Sequence, residues 1–183
     1  TGIASSEIVS SFDELPRLPP ADIAICALGT TIRQAGTKAA FRAIDEEAVV
    51  SFATAAKAAG VDHFLVVTAV GANPDASVFY SRVKGQTEGQ LMTMGFKRLD
   101  IIRPGLLLGD RKEHRPIEAL LQHIAPVTDL LMRGKWRCYK SVQAADAAQC
   151  LLGLAANNKP GAYTHHFDDV MRVLQSPSQD VTK

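Results

Sequence analysis

Three short runs of the chain are apolar along almost their whole length, and each is closed by a glycine. They are Asp22–Gly29 (DIAICALG), His63–Gly71 (HFLVVTAVG) and Arg98–Gly105 (RLDIIRPG). A strand that reads apolar throughout, without alternation, is buried on both faces, as in parallel sheets covered by helices. The segments between the runs are longer and made of helix formers. Thr37–Gly60 is rich in alanine and carries Phe41, Ile44, Val49, Phe52, Ala55 and Ala56 at a loose helical period, with Gly60 as a natural stop. Ser77–Met94 is a second helix, stopped by Gly95. Strand and helix thus alternate about every 35 residues, a βαβ series, and the fold class this predicts is α/β with a doubly wound parallel sheet.

Composition narrows the function. The 183 residues have the size of one domain, expected over 1–175 with 176–183 as a polar tail. With 46% hydrophobic and 21% charged residues the chain has material for a sizeable core and is not a disordered sequence. A formal net charge of +1 gives no electrostatic reason to expect nucleic acid. No run approaches the roughly 18–20 apolar residues of a spanning helix, so no membrane association is expected. The opening TGIASSEIVSSFDELP has neither the basic nor the apolar region of an export signal. Cys26, Cys138 and Cys150 match neither zinc nor CxxC spacing, which predicts reduced thiols, a cytoplasmic protein and no metal site.

Past Gly109 the rhythm changes. Asp110–Arg115 (DRKEHR) is of mixed sign and reads as a solvated loop. Pro116–Met132 reads as one or two amphipathic helices broken by Pro126, and 111–142 is expected on the substrate side. Arg133-Gly-Lys-Trp136 reads as a loop, with Trp136 either capping the core or stacking on a ligand. Val142–Asn157 reads as a helix burying Ala144, Ala148, Leu151, Leu152 and Ala155, and Tyr163–Phe167 as a last strand. His165 and His166, followed by Asp168 and Asp169, do not suggest a metal site, because adjacent strand residues point to opposite faces.

The sharpest chemical feature is Phe79-Tyr80-Ser81-Arg82-Val83-Lys84. Tyr80 and Lys84, four apart on a helix, share one face. An ammonium beside a phenol lowers a pKa that starts near 10, which would let Tyr80 exchange a proton with a carbonyl or alcohol near neutral pH. Thr68 lies near the C-terminal end of the middle apolar run, where ligands collect in open α/β sheets. A Tyr and a Lys at this spacing are, in isolation, more often a surface pair; the joint placement of hydroxyl, strand end and YxxxK favours a site.

That constellation resembles the short-chain dehydrogenase/reductase superfamily. The stretches Cys26–Thr31, Phe41–Asp45, His63–Thr68, Val70–Asn73, Phe79–Gly85 and Ile102–Arg111 together resemble its atypical subgroup typified by the Tat-interacting oxidoreductase-like proteins. The resemblance implies a Rossmann-type crevice for NADPH, with NAD as the alternative. It implies that Tyr80 donates the proton, that Lys84 holds the nicotinamide ribose and lowers the tyrosine pKa, and that Thr68 stands for the family's serine. Leu28, Gly29 and Thr30 would pass beside the ribose and pyrophosphate, and Arg103, Pro104 and Gly105, followed by Leu106 and Leu107, would pack against the nicotinamide. Asp45 would steady the adjoining helix, or be a plain surface carboxylate. The implied activity is hydride transfer with a small carbonyl or alcohol substrate; a non-catalytic NADPH sensor or protein-interaction module is the alternative, with a homodimer or protein partner left open.

Two departures stand out. Thr68 adds a methyl group to the expected serine. No GxxGxxG-like stretch occurs in the sequence, which opens just after where such a fold's second strand would end. One expectation is that a first βαβ unit of roughly 35–40 residues precedes this sequence, because a parallel sheet without its central strand would keep a long unpaired edge. The other is a truncated relative that cannot bind a dinucleotide normally.

Overall fold

The fold is that of a computed structural model, in which residues 18–108 and 134–175 are described. The expectations for 1–17, Asp110–Arg115, Pro116–Met132 and the tail from Ser176 concern residues outside those ranges. The three apolar runs form strands β1 (Ile23–Cys26), β2 (His63–Val67) and β3 (Arg98–Ile102). After them come β4 (Leu107–Leu108) and β5 (Val142–Gln143), a parallel two-residue pair, and β6 (Gly161–His165). The main sheet is parallel throughout, in the order β1-β2-β3-β6.

The first helical stretch is more broken than its alanine content suggests. A single turn, α1 (Ile32–Ala35), precedes α2 (Lys38–Arg42), and both start on a threonine cap: Gln34 N donates to Thr31 Oγ1 at 3.1 Å and Ala40 N to Thr37 Oγ1 at 3.0 Å. From α2 the chain runs through a π-helical segment, Ala43–Ala48, into α3 (Val49–Ala58). Phe41, Asp45, Ala48 and Val49 are all buried, and Ile44, which the apolar stripe included, is half-buried. Next comes α4 (Phe79–Thr93); Gly85 is where the loop before it crosses its backbone, since a Cβ there would lie 2.2 Å from the Asn73 carbonyl carbon.

Both faces of β2 and β3 are covered, as a non-alternating strand requires. Phe64, Val66, Leu99 and Ile101 point to one side, against Val49, Ala53, Ala56 and Leu91. Leu65 and Ile102 point to the other, against α5 (Ala144–Ala155) and α6 (Phe167–Gln175). The buried stripe of α5 is Ala147, Cys150, Leu151 and Leu154; Ala144 and Ala148 are exposed and Leu152 is 67% exposed, so the expected face was rotated. The stretch expected as a loop around Trp136 is a 3-10 helix, Gly134–Tyr139, and the residues after His166 continue as α6. Along β1, the sheet edge, Ile23 and Ile25 are 38% and 41% exposed.

Candidate functional site

Two clusters bracket α4, one on each of two successive turns. Lys84, only 4% exposed, places its Nζ 2.6 Å from Oδ1 of Asp45, which is wholly buried. The other carboxylate oxygen, Oδ2, accepts the backbone N–H of Thr30 at 2.8 Å. One carboxylate from the π-helical segment therefore ties the turn after β1 to the lysine of α4. Gly29 sits directly over this pair: a Cβ there would be 3.3 Å from Asp45 Oδ1 and 3.4 Å from Lys84 Nζ. A plain surface carboxylate is thereby excluded for Asp45.

One turn further along α4, Glu88 is 2% exposed and gathers the ends of two strands. Thr68, just past β2, donates its hydroxyl proton to Glu88 Oε1 at 2.6 Å. Arg103, just past β3, forms an ion pair with the same carboxylate, its Nε 3.0 Å from Oε1 and 3.2 Å from Oε2. Backbone bonds keep the two ends level: Thr68 N donates to Ile102 O and Val70 N to Pro104 O, both at 2.9 Å. With its one proton given to Glu88, the Thr68 oxygen has only lone pairs to offer a ligand.

Tyr80 opens the same stripe of α4. It is half-buried, its ring 5.5 Å from that of Phe41 and tilted against it. Burial pushes its phenol above the ordinary value, and the negative charge of Asp45 pushes it the same way. This corrects the expectation that Lys84 lowers it. The ammonium is neutralised by Asp45, so its field is no longer available to favour a phenolate.

The remaining expected residues are distributed as follows. Pro104 is buried, and Gly105 lies against the 3-10 helix, where a Cβ would be 2.3 Å from Tyr139 O. Leu106 is 41% exposed, and Leu107 is half-buried in β4. Leu28 packs on the first core. Cys26 is a buried thiol, pushed up by that burial. Trp136 is 65% exposed and does not cap the core. Thus Gly29, Thr30 and Lys84 are brought together by Asp45, and Thr68 and Arg103 by Glu88.

Sequence reasoning missed Glu88, although its position four residues after Lys84 on one helix face was a usable signal. It also missed Asp100, a carboxylate in the middle of an apolar strand. Asp100 is wholly buried on the face of α5 and α6, its Oδ2 2.7 Å from His63 Nε2 and 2.5 Å from Arg98 Nε, and its Oδ1 2.6 Å from His165 Nε2. Among the described residues no group of His, Cys, Asp and Glu could hold a metal ion. A groove of about 370 Å³ lined by Arg98, Lys159, Tyr163, His165 and Arg172 shares no residue with either cluster around α4.

No family model matches the chain. It is 40% identical to the rat protein HTATIP2 over 116 residues, which are 61% of this chain and 48% of that one. It is 34% identical to the mitochondrial protein FMP52 of Coccidioides immitis over 140 residues, 75% of this chain and 57% of that one. Among solved structures, human epimerase family protein SDR39U1 with NADPH superposes with a TM-score of 0.58 at 19% identity, over 85% of this chain and 60% of that one. The chain is a sequence relative of HTATIP2 and FMP52, which together with its structural neighbours supports an atypical short-chain dehydrogenase/reductase subgroup. Its sheet is the parallel, helix-covered Rossmann type of NAD(P)-binding reductases and epimerases. The chain spans about half the length of the curated relatives it matches. The expected cytoplasmic location is overturned by the fungal relatives, which are mitochondrial by name.

Proposed function

We propose that the chain carries the nicotinamide-side and substrate-side half of an NAD(P)H-dependent oxidoreductase acting on a small carbonyl or alcohol. The observation that carries this reading is the half-buried Tyr80 one helical turn from Lys84, with Lys84 joined through Asp45 to the turn at Thr30. The residues present fit the nicotinamide ribose: Gly29 leaves bare backbone over the Lys84 ammonium, and Lys84 supplies a charged donor. Leu28, Gly29, Thr30, Lys84 and Tyr80 would hold that part, with Pro104 and Gly105 beside it. NADPH is the first form to test, and NAD the second.

When bound, a nicotinamide supplies or takes up the hydride at the substrate carbon. In reduction Tyr80 gives its phenolic proton to the substrate oxygen; in oxidation it takes the proton of the alcohol. Thr68, its own proton held by Glu88, can only accept, so it would orient the substrate through a donor other than the reacting oxygen. Arg103 and Glu88 keep Thr68 in place. A non-catalytic nicotinamide sensor on the same fold is the second reading, favoured by the matched charge of Lys84 and the raised phenol of Tyr80.

Fluorescence titration with NADPH and NADH tests the binding part. Binding is expected, weakened about tenfold or more in Lys84→Met, the worth of one charged hydrogen bond; no binding of either form would remove the reading. Oxidation of the bound cofactor by a panel of carbonyl compounds, abolished by Tyr80→Phe, separates the enzyme from the sensor.

A further inference from the structure

We propose that Trp136 and Tyr139 form a ring platform beside the candidate site, and that the substrate is a carbonyl or alcohol bearing a flat aromatic group that lies on it. The carbonyl or alcohol part rests on the oxidoreductase reading; the aromatic part rests on the 3-10 helix alone. In such a helix residues i and i+3 eclipse, so Gly134–Tyr139 carries Trp136 and Tyr139 on one side. Their rings stand 5.7 Å apart, tilted by 41°, and the residues are 65% and 41% exposed. Neither ring is spent on the core. Leu106 adds a third exposed apolar side chain nearby in the backbone, its carbonyl accepting the Val142 N–H at 2.9 Å.

The helix is joined to the candidate site through bare backbone. Arg103 pairs with Glu88, the Pro104 carbonyl accepts the Val70 N–H at 2.9 Å, and Gly105 comes next. At Gly105 the two stretches meet: a Cβ there would lie 2.3 Å from Tyr139 O and 2.5 Å from Lys140 O. Tyr139 therefore packs two residues beyond the arginine that shares Glu88 with Thr68. From the other side α6 holds the helix. Arg137 Nε and Nη2 donate to Asp168 Oδ1 at 2.9 and 2.6 Å, and Lys140 Nζ lies 5.6 Å from the centre of the Phe167 ring. Rings fixed before a ligand arrives lose little freedom on binding it.

The same contacts choose the occupant. A helix that lies on a lipid surface keeps its basic side chains for headgroups, whereas Arg137 and Lys140 are engaged by the start of α6. Two rings and a leucine are too few for a protein interface, which buries about 800 Å² on each side. They suffice for one flat ring, since aromatic pairs attract at centroid separations of about 4.5–7 Å.

The test uses the one tryptophan of the chain, which gives one indole N–H signal in the correlation spectrum of the isotopically labelled 183-residue protein. Acetophenone and cyclohexyl methyl ketone carry the same carbonyl and differ in whether the ring is flat. Acetophenone is expected to move the indole signal saturably and to bind about fivefold tighter, the worth of one aromatic pair. Trp136→Leu, read from the broadening of the ketones' own signals, is expected to erase that preference, and Trp136→Phe to restore it. Both are changes at an exposed position, and an unchanged Tm verifies the fold. Equal binding of the two ketones, an unmoved indole signal, or a preference that survives Trp136→Leu overturns the proposal. An indole signal that ignores acetophenone but broadens on vesicles of phosphatidylcholine and phosphatidylglycerol overturns it in favour of a lipid surface. One that ignores acetophenone but shifts with protein concentration overturns it in favour of a second copy.

NADPH added to the same samples separates the two readings. Acetophenone held at Trp136 while NADPH is neither bound nor oxidised sinks the oxidoreductase and leaves an aromatic-ligand site standing. Oxidation of NADPH by both ketones at equal rates, with the indole signal unmoved, sinks the platform alone.

Discussion

Asp45 and Asp100 are both wholly buried aspartates, one on each side of the sheet, and they serve opposite ends. Asp100 has partners from three neighbouring strands: His63 on β2, Arg98 on its own β3 and His165 on β6. Every partner belongs to the sheet, so this network fastens the scaffold across its strands. Its influence on the surroundings is to suppress reactivity: burial first, then the charges of Asp100 and Asp169, push the Cys150 thiol up to about 12. Asp45 instead joins a helix to a turn, beside a tyrosine that solvent still reaches. A buried charge alone therefore does not mark a site; the accessible group within its field does.

The comparison breaks first at Asp100. Asp100→Ala leaves Arg98 without its counter-charge and two imidazoles without their acceptor, and is expected to cost about 3–5 kcal/mol. Thermal unfolding followed by circular dichroism should show a fall in Tm of roughly 10 °C; a loss below about 1 kcal/mol would show that the staple carries no load. At the other aspartate, removing both charges together should do the reverse. Asp45→Asn/Lys84→Met is expected to leave stability unchanged or raise it, since an ion pair replaced as a unit leaves no charge stranded. Urea unfolding measures this, and a large loss there would make Asp45 a second staple.

The smallest effect is in acid. Its partners His165, Arg98 and His63 outweigh burial and hold the Asp100 carboxyl below its ordinary value. A carboxylate whose folded pKa is depressed contributes stability above the unfolded pKa near 3.9, lost as pH falls through the folded value. The difference in urea midpoint between the unaltered chain and Asp100→Asn should be constant above about pH 5 and shrink below about pH 4. A difference that does not change over that range would assign the acid sensitivity elsewhere.

The strands were legible because a run that must face helices on both sides cannot hide a polar period. YxxxK and the strand-end Thr68 were legible as spacing. What surrounds them was not, because Asp45 and Glu88 reach their partners only once the helices are docked on the sheet. Reading Lys84 as a phenol-acidifying ammonium failed for that reason: its charge is answered from a different helix. Alanines misled the reading of α5, since they fit inside or outside, and the exposed Leu152 drew the stripe the wrong way round. The start of α6 was missed because Asp168 and Asp169 were weighed only beside His165 and His166 as metal ligands, whereas acidic residues also belong in a helix's first turn.

The π-helical segment Ala43–Ala48 has a genetic corollary. Such a segment carries one residue more than the α-helix it interrupts. Loss of a single codon from this segment, sparing that of Asp45, would therefore restore ordinary winding and leave α2 and α3 in phase with one another, because the wider turn is what absorbs the extra residue. The segment is thus a place in this helical run where the chain can shed a residue without turning the helices on either side of it.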